Sequence, residues 1–207
     1  MKTAVVFLAD GFEEVEALTP VDYLRRSKEV EVITVAVPSA TMNDKYIVIS
    51  SHNIPVIADM SFEEFKEQLS GEAADLVFCP GGMPGSTNLA ACPDVIEYIK
   101  KCFAAGKYVS AICAAPAVVL AKTGVLKGRN WTCYPEMEKD VEKFCGTEAD
   151  VSDVLMGSTH VTDAFVTDGN VITSRGAGTA EPFAMELVRL LCGAEKSDAL
   201  RKATCQR

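Results

Sequence analysis

Several features that often reveal a function are missing from this sequence. Its 207 residues include only two histidines, and its eight cysteines form no Cys-x-x-Cys spacing. A zinc site built from the usual ligand sets is therefore not expected. The sequence also lacks a dinucleotide-binding glycine motif and a Walker motif, so we expect neither a metal nor an organic cofactor. No apolar run approaches the roughly 20 residues of a membrane span, so no membrane partner is expected.

Positive charge is scarce as well. There are 20 Lys and Arg residues against 29 Asp and Glu residues, a formal net charge of −9. An acidic surface repels phosphate, so no nucleic-acid partner is expected. The N-terminal apolar run, residues 4–9, is too short for a signal sequence and is followed by acidic residues, which favours a core strand. We therefore expect a cytoplasmic protein with reduced thiols.

The apolar runs of the chain predict an α/β fold. Runs typical of strands buried on both faces occupy residues 4–9, 30–37, 75–79 and 107–112. Helical patterns cover residues 13–27, 61–70, 93–105, 116–123 and 178–191. This alternation predicts a mostly parallel central sheet with helices on both faces. The length suits a single domain at residues 1–195, followed by a C-terminal tail at residues 196–207.

Local signals refine this prediction. Pro20 is expected to kink or break the first helix. Residues 46–57 are β-branched but include Pro55, which indicates an edge hairpin. Ser61 and Glu64 have the spacing of a capping box. Asp168-Gly169 predicts a hairpin turn, whereas residues 124–165 give no clear pattern.

Unusual residues follow three of the predicted strands: Asp10 to Glu16, Pro80-Gly81-Gly82, and Cys113. Ligand sites in open α/β sheets lie at the carboxyl ends of the strands, so these segments should meet at one edge. Cys113 lies where a strand turns into a helix. The N-terminus of that helix should favour a thiolate and lower the pKa of the cysteine. The alternative, a small buried core cysteine, fits the other seven better than Cys113.

A carboxylate and backbone donors are expected near this thiol. A glutamate in the first helical turn is often a solvated surface residue, as we expect for Glu13 and Glu14, but the turn should direct Glu16 toward the strand ends. A thiolate and a carboxylate at hydrogen-bond distance repel each other, so Glu16 should be protonated and have a raised pKa. Gly81 and Gly82 either form an ordinary turn or present N–H groups to a developing oxyanion.

Four segments of the sequence resemble the motifs of one protein family. Residues 8–16, 80–82, 111–116 and 173–179 are similar, in order, to motifs of the ThiJ/PfpI superfamily, and most of all to its DJ-1 branch. The resemblance extends over about residues 3 to 195. It implies a flavodoxin-like three-layer sandwich and a homodimer. The first helix and the edge hairpin, with His52, would contribute to the dimer interface.

The resemblance also implies roles for individual residues. It assigns the reactive cysteine to Cys113, the partner carboxylate to Glu16, and the backbone donors to Gly82 and Ala114. The implied activity is that of a cofactor-independent glyoxalase or protein deglycase, acting on methylglyoxal, glyoxal and their adducts. The alternatives are an oxidative-stress sensor or chaperone that works through a Cys113 sulfinate, and a structural partner with an unreactive Cys113.

Three positions depart from the patterns of related branches. Tyr134 precedes Pro135 where the DJ-1 branch commonly has a His-Pro pair, so a histidine proton carrier is not expected. Ala114 stands where the protease-like branch has a histidine, which argues against a peptidase. His160 lacks the Glu two residues later that glutamine amidotransferases need, because Thr162 occupies that position.

Overall fold

A computed structural model describes residues 1–41, 44–146 and 148–206. Its strands are β1 (Lys2–Leu8), β2 (Val30–Ala36), β3 (Ile47–Ile49), β4 (Pro55–Ile57), β5 (Met60–Ser61), β6 (Leu76–Cys79), β7 (Tyr108–Ile112), β8 (Asn130–Trp131), β9 (Thr159–His160), β10 (Phe165–Asp168) and β11 (Val171–Ser174). Seven of these form the central sheet in the order β10-β11-β7-β6-β1-β2-β5. Neighbouring strands in this sheet are parallel, except for the antiparallel pair β10 and β11.

Helices connect the parallel strands and follow the last strand of the chain. They are α1 (Glu14–Ser27), α2 (Phe62–Gln68), α3 (Gly85–Ala90), α4 (Pro93–Ala104), α5 (Ala121–Thr123), α6 (Val141–Cys145), α7 (Glu148–Val154), α8 (Ala180–Cys192) and α9 (Ala194–Ala203). A π-helical turn at Pro116–Leu120 precedes α5, and 3-10 turns lie at Met137–Asp140 and Ala177–Thr179.

Two hydrophobic layers flank the sheet. Val5 and Phe7 of β1 pack into the layer that contains α2 and α4. Val6 and Leu8 of the same strand pack on the opposite face, where α1 and α8 lie. Successive side chains of a strand point to opposite faces, so a strand covered on both sides is apolar throughout. The predicted sandwich with helices on both faces is therefore confirmed.

Local predictions had mixed outcomes. The capping box of Ser61 and Glu64 and the hairpin at Asp168-Gly169 are both present. Pro20, however, does not break α1, which continues from Glu14 to Ser27. The hairpin at residues 46–57 forms, but β3 and β4 make a separate two-stranded sheet instead of extending the edge of the central one.

The C-terminal segment is more ordered than a tail. The chain forms α9 there, and Ser197 is buried with its hydroxyl donating a 3.1 Å hydrogen bond to the Met185 carbonyl of α8. Only Arg207 of the predicted tail lies outside the described residues. The patternless stretch 124–165 contains short elements, β8 and β9 among them, which pair with each other in parallel. Within the described ranges, no helix is both long and apolar enough to cross a bilayer.

Candidate active site

Cys113 has a strained backbone conformation at the end of β7. Its φ is +60°, a left-handed value that a side chain rarely adopts. Its N–H donates a 2.9 Å hydrogen bond to the Ser174 carbonyl at the end of β11, and its own carbonyl accepts one of 2.8 Å from Tyr134 N–H. Such conformations persist where neighbouring structure imposes them, often at functional sites. The flanking strand and the Tyr134 segment thus hold Cys113 in place.

Glu16 is buried beside this cysteine. Its side chain is hydrogen-bonded to Cys113, and only 1% of the residue is exposed. Oε2 accepts a 3.1 Å hydrogen bond from the N–H of Gly81, and Ala177 N–H is a further backbone donor to the carboxyl group. Glu13 caps α1, its Oε2 accepting a 2.6 Å hydrogen bond from the N–H of Glu16. The first turn of α1 therefore directs Glu16 to the strand ends, as predicted.

The glycine pair after β6 allows close approach of three segments. Gly82 has a φ of +90°, and a Cβ there would lie 2.4 Å from the Gly11 carbonyl oxygen. A Cβ on Gly81 would lie 2.4 Å from Glu16 Oε2 and 2.5 Å from Cys113 Cβ. Only glycine fits at either position. The N–H groups of Gly82 and Ala114 are hydrogen-bonded to the cysteine sulfur, so the four predicted site residues are brought together.

Burial determines the ionisation of the pair. Burial raises the pKa of Glu16 to about 7, against the lowering effect of its hydrogen bonds to Cys113 and Gly81, with a further increase from the Glu13 charge. A raised pKa for this carboxyl group was predicted. The pKa of Cys113 is also raised, first by burial and then by the Glu16 charge and hydrogen bond. The prediction of a lowered cysteine pKa was wrong, because desolvation outweighs the N–H donors of Gly82 and Ala114.

The two groups titrate as a unit. The carboxylate disfavours the thiolate only while Glu16 is ionised, so moving a proton onto Glu16 removes that repulsion. The N–H groups of Gly82 and Ala114 then remain to stabilise a sulfur anion. The site can therefore shift one proton between sulfur and carboxyl oxygen, which is what a nucleophile with an adjacent acid requires.

The other cysteines lack this combination. Burial raises the pKa of Cys79, the pKa of Cys102 to about 11 and that of Cys133 to about 12. Cys92 is half-buried before α4, and its pKa is raised mainly by burial as well.

One contributor to the site, Ala177, was missed at the sequence level, and Tyr134, singled out there, borders the site as well. Ala177, a donor to Glu16, belongs to the segment 173–179, which was singled out as a motif but given no role. Tyr134 borders the site: a Cβ on Gly176 would lie 3.7 Å from both Tyr134 Cδ2 and Glu16 Oε1. The Gly-x-Gly spacing at 176–178, directly after a predicted strand, was the available signal for a backbone loop at this edge.

Among the residues that the structure describes, two other groups contain metal-ligand side chains. Glu13, Glu14 and His52 come together at the surface, where His52 Nδ1 lies 2.8 Å from Glu14 Oε1. Cys133 forms a second group with one glutamate and one histidine, which is treated below. Neither group includes Cys113 or its partner carboxylate.

A mostly parallel α/β sandwich with a strained cysteine and a buried carboxyl group at its strand ends defines a flavodoxin-like protein with a cysteine site. The DJ-1/PfpI family model matches residues 2–190, and the chain belongs to this family.

Curated relatives agree with this assignment. The chain is 34% identical to protein DJ-1 homolog B of Arabidopsis thaliana over 97% of its own length and 40% of that protein. It is 34% identical to protein dj-1beta of Drosophila melanogaster, covering 97% of this chain and 95% of the relative. Glutathione-independent glyoxalase DJR-1.2 of Caenorhabditis elegans is 33% identical, with 72% and 70% covered. The chain thus spans less than half of the Arabidopsis relative.

Solved structures show the same fold. A cysteine-to-alanine mutant of DJ-1 superfamily protein STM1931 from Salmonella typhimurium has a TM-score of 0.83 at 35% identity, with 100% of both chains covered. Oxidized DJ-1 of Toxoplasma gondii has a TM-score of 0.81 at 28% identity, covering 99% of this chain and 98% of that one.

Proposed function

We propose that this protein is a cysteine-dependent, cofactor-independent enzyme of the glyoxalase and deglycase type, acting on methylglyoxal or glyoxal and their adducts. One observation carries the proposal: Glu16 is buried, has a pKa of about 7 and is hydrogen-bonded to Cys113. A carboxyl group that titrates near neutrality can both donate and accept a proton during turnover. The name of the Caenorhabditis elegans relative, a glutathione-independent glyoxalase, supports the same reaction class.

The first step is addition of the thiol to the aldehyde. The proton of Cys113 passes to Glu16, and the sulfur attacks the aldehyde carbon of methylglyoxal, forming a C–S bond while the carbonyl π electrons move to oxygen. The N–H groups of Gly82 and Ala114, released from the sulfur, stabilise the oxyanion. Glu16 then returns its proton to that oxygen, which gives a hemithioacetal and leaves a carboxylate.

The second step moves a proton between adjacent carbons. The Glu16 carboxylate removes the proton from the former aldehyde carbon, which gives an enediol-type intermediate, and delivers it to the neighbouring carbon. The hydroxyl proton of the hemithioacetal passes to the former ketone oxygen, so that a thioester of lactate forms on Cys113. Water cleaves the thioester and restores the thiol. The sum is methylglyoxal plus water giving lactate, or glyoxal plus water giving glycolate, and no external oxidant or reductant is needed.

A steady-state assay of methylglyoxal loss and lactate formation, without added glutathione or metal, tests the proposal. Wild-type protein should convert methylglyoxal to lactate, and the Cys113→Ser variant should not. Cys205→Ser is the matched control, because Cys205 is an exposed thiol after α9 and should be dispensable. The proposal fails if wild-type protein forms no lactate, or if Cys113→Ser retains activity within tenfold of wild type.

A sensor or chaperone role is the second candidate. The same sulfur, held by two N–H groups beside a carboxyl group that can donate a hydrogen bond, is suited to stabilise a sulfinate. The oxidized Toxoplasma gondii DJ-1 structure is a related protein studied in an oxidised form. This role would be favoured if the protein did not convert methylglyoxal but began to bind unfolded proteins after mild peroxide treatment.

The proposal includes a homodimer in the cytoplasm. Exposed apolar side chains are concentrated on α1 and the β3–β4 hairpin, the region predicted for the interface: Val15, Leu18, Ile49, Ile54 and Ile57. Covering such a patch with a second copy would remove apolar area from water. Seven cysteines, all except Cys145, are free thiols, which suits a reducing compartment. Light scattering at micromolar concentration should give twice the mass of one chain, and a monomer mass would contradict the dimer.

A further inference from the structure

Cys133, Glu138 and His160 form a second group of reactive side chains, next to the Tyr134 segment that supports Cys113. Cys133 follows β8, Glu138 belongs to the 3-10 turn at Met137–Asp140, and His160 ends β9. One potential ligand atom of each residue lies within 4.8 Å of the other two. The usual zinc spacings did not predict this group because its members come from three separate short elements.

We propose that Cys133, Glu138 and His160 form a binding site for a transition-metal ion, with zinc the best match. The cluster offers one thiolate, one imidazole nitrogen and one carboxylate oxygen, which are the three ligand types that zinc uses. A soft sulfur ligand disfavours magnesium and calcium, which bind to oxygen.

The spacing of the three atoms suits a shared ion. Two ligands of one tetrahedral zinc ion lie about 3.3–3.8 Å apart, given bond lengths of about 2.0–2.3 Å. Cys133 Sγ and His160 Nε2 are 3.7 Å apart, already within that range. His160 Nε2 and Glu138 Oε2 are 4.0 Å apart, so the carboxylate needs to move by only a fraction of an ångström.

The carboxylate of Glu138 provides independent support for the proposed ion site. Its Oε2 is buried and has no hydrogen-bond partner among the described residues, although the distance to His160 Nε2 is 4.0 Å. That separation is too long for an N–H···O hydrogen bond. A buried oxygen without a partner costs about 1–3 kcal/mol, more when it is charged, and an ion at this position would supply the partner.

The same geometry excludes a catalytic relay. In a Cys-His-Glu relay the glutamate contacts the ring nitrogen opposite the one that faces the cysteine. Here Cys133 and Glu138 both approach Nε2 of His160, so the three groups converge on one point. Cys133 is also only 1% exposed, which leaves its sulfur inaccessible to a substrate. Convergence of a buried thiol, an imidazole and a carboxylate is typical of metal coordination.

The position of the site suggests a structural role. Trp131 pairs with His160 across β8 and β9, and their rings are in edge contact with centroids 5.1 Å apart. Cys133 directly precedes Tyr134, whose N–H is bonded to the Cys113 carbonyl. An ion bound here would join three short segments and hold in place the Tyr134 segment, which supports Cys113.

Metal binding is tested in a Cys113→Ser background, so that the active-site thiol does not compete. Zn²⁺ should bind with one equivalent in calorimetry and raise the melting temperature, because it binds only the folded site. Co²⁺ should give a thiolate-to-cobalt charge-transfer band. In this background, His160→Gln should weaken Zn²⁺ binding at least tenfold and abolish the melting shift, and Cys133→Ser should remove the charge-transfer band.

Two control substitutions separate this site from others. His52→Gln alters the surface cluster with Glu13 and Glu14, and Cys205→Ser removes an exposed thiol; neither should change Zn²⁺ affinity. His160 is partly exposed, so its substitution should fold even if Cys133→Ser does not. The proposal is overturned if His160→Gln leaves Zn²⁺ affinity unchanged, if His52→Gln abolishes binding, or if Co²⁺ gives no thiolate band.

Discussion

The backbone N–H of Tyr134 donates a 2.8 Å hydrogen bond to the carbonyl oxygen of Cys113. Tyr134, the position where the family resemblance implied a histidine, is therefore joined to Cys113 through main-chain atoms. The bond does not depend on the side chain, so it supports the cysteine whichever residue occupies position 134. The tyrosine side chain itself is 52% exposed beside the site.

Cys113→Ala should abolish lactate formation and preserve the fold. Alanine is smaller than cysteine and meets the same left-handed φ of +60°, so backbone strain is unchanged. Cys113→Gly provides an internal check, because glycine adopts this φ without strain. In urea unfolding the glycine variant should be at least as stable as the alanine variant. A glycine variant clearly less stable than the alanine variant would contradict the strain argument.

Glu16→Gln should lower turnover by about two to four decades, the usual contribution of general acid–base catalysis. The amide can still hydrogen-bond to the sulfur but cannot carry a proton between adjacent carbons. The measurement is kcat for methylglyoxal, with the folded state of the variant checked by circular dichroism. Glu14→Gln is the matched control, since Glu14 lies in the same helical turn and contacts His52 instead of Cys113. Equal losses in the two variants would remove Glu16 from the mechanism.

The raised pKa of Glu16 predicts a pH-dependent stability. The folded carboxyl group titrates at about 7 and the unfolded one near 4.5, so the folded state binds more protons between these values. Stability should therefore fall as pH rises through that window, by at most about 3 kcal/mol, and level off above it. Urea unfolding at pH 5 and pH 8 should show this fall in wild type but not in Glu16→Gln. Parallel pH dependences in the two proteins would contradict the assignment.

The layers of the fold could be read from the sequence because burial on both faces leaves an uninterrupted apolar run, as in β1 and β6. Short elements gave no such signal. The strands β8 and β9 contain two residues each, and their pairing depends on tertiary contacts, not on a local pattern. Pro20 misled because its missing N–H removes only one hydrogen bond, while α1 packs along its length against the sheet and α8.

The positions of the site residues were predicted from the strand ends, but the direction of the pKa shift of Cys113 was not. Helix position alone suggested an acidic thiol at Cys113, whereas burial raises its pKa. Desolvation of the Cys113 sulfur depends on which segments of the protein cover it. These segments include Gly81 and Ala177 as well as Glu16. Burial by segments that are distant in sequence arises only in the folded protein, so no local sequence pattern predicts it.

Gly82→Ala should destabilise the protein and disrupt the site. The φ of +90° is unfavourable for alanine, and the new Cβ would lie 2.4 Å from the Gly11 carbonyl oxygen and 2.5 Å from the Glu13 nitrogen. Overpacking of this kind costs about 1–3 kcal/mol, to which the backbone strain adds. Gly178→Ala is the matched control at the same edge of the sheet, because its Cβ meets no atom within 4 Å. Similar melting temperatures for the two variants would contradict this reading.

Mild peroxide should convert Cys113 to a sulfinate before any other cysteine. The sulfur attacks one peroxide to give a sulfenate and water, and a second peroxide adds the second oxygen. The reaction requires the proton to leave sulfur, and Glu16 can accept it because its own pKa is about 7. The protonated carboxyl group can then donate a hydrogen bond to a sulfinate oxygen.

Cys205 and Cys92 are the other cysteines that peroxide could oxidise early, but neither has a buried carboxyl partner like Glu16 among the described residues. Cys205 is exposed but has no buried carboxyl neighbour in the described structure, and the carboxylate near Cys92 is the exposed Asp94. Glu16→Ala removes both the proton acceptor and the hydrogen-bond donor, so it should slow sulfinate formation at Cys113 or divert it to other products. Peptide mass spectrometry after limited peroxide measures the order of oxidation. If Cys92 or Cys205 reaches the sulfinate first, the activated-thiol argument fails, because exposure alone would then govern reactivity.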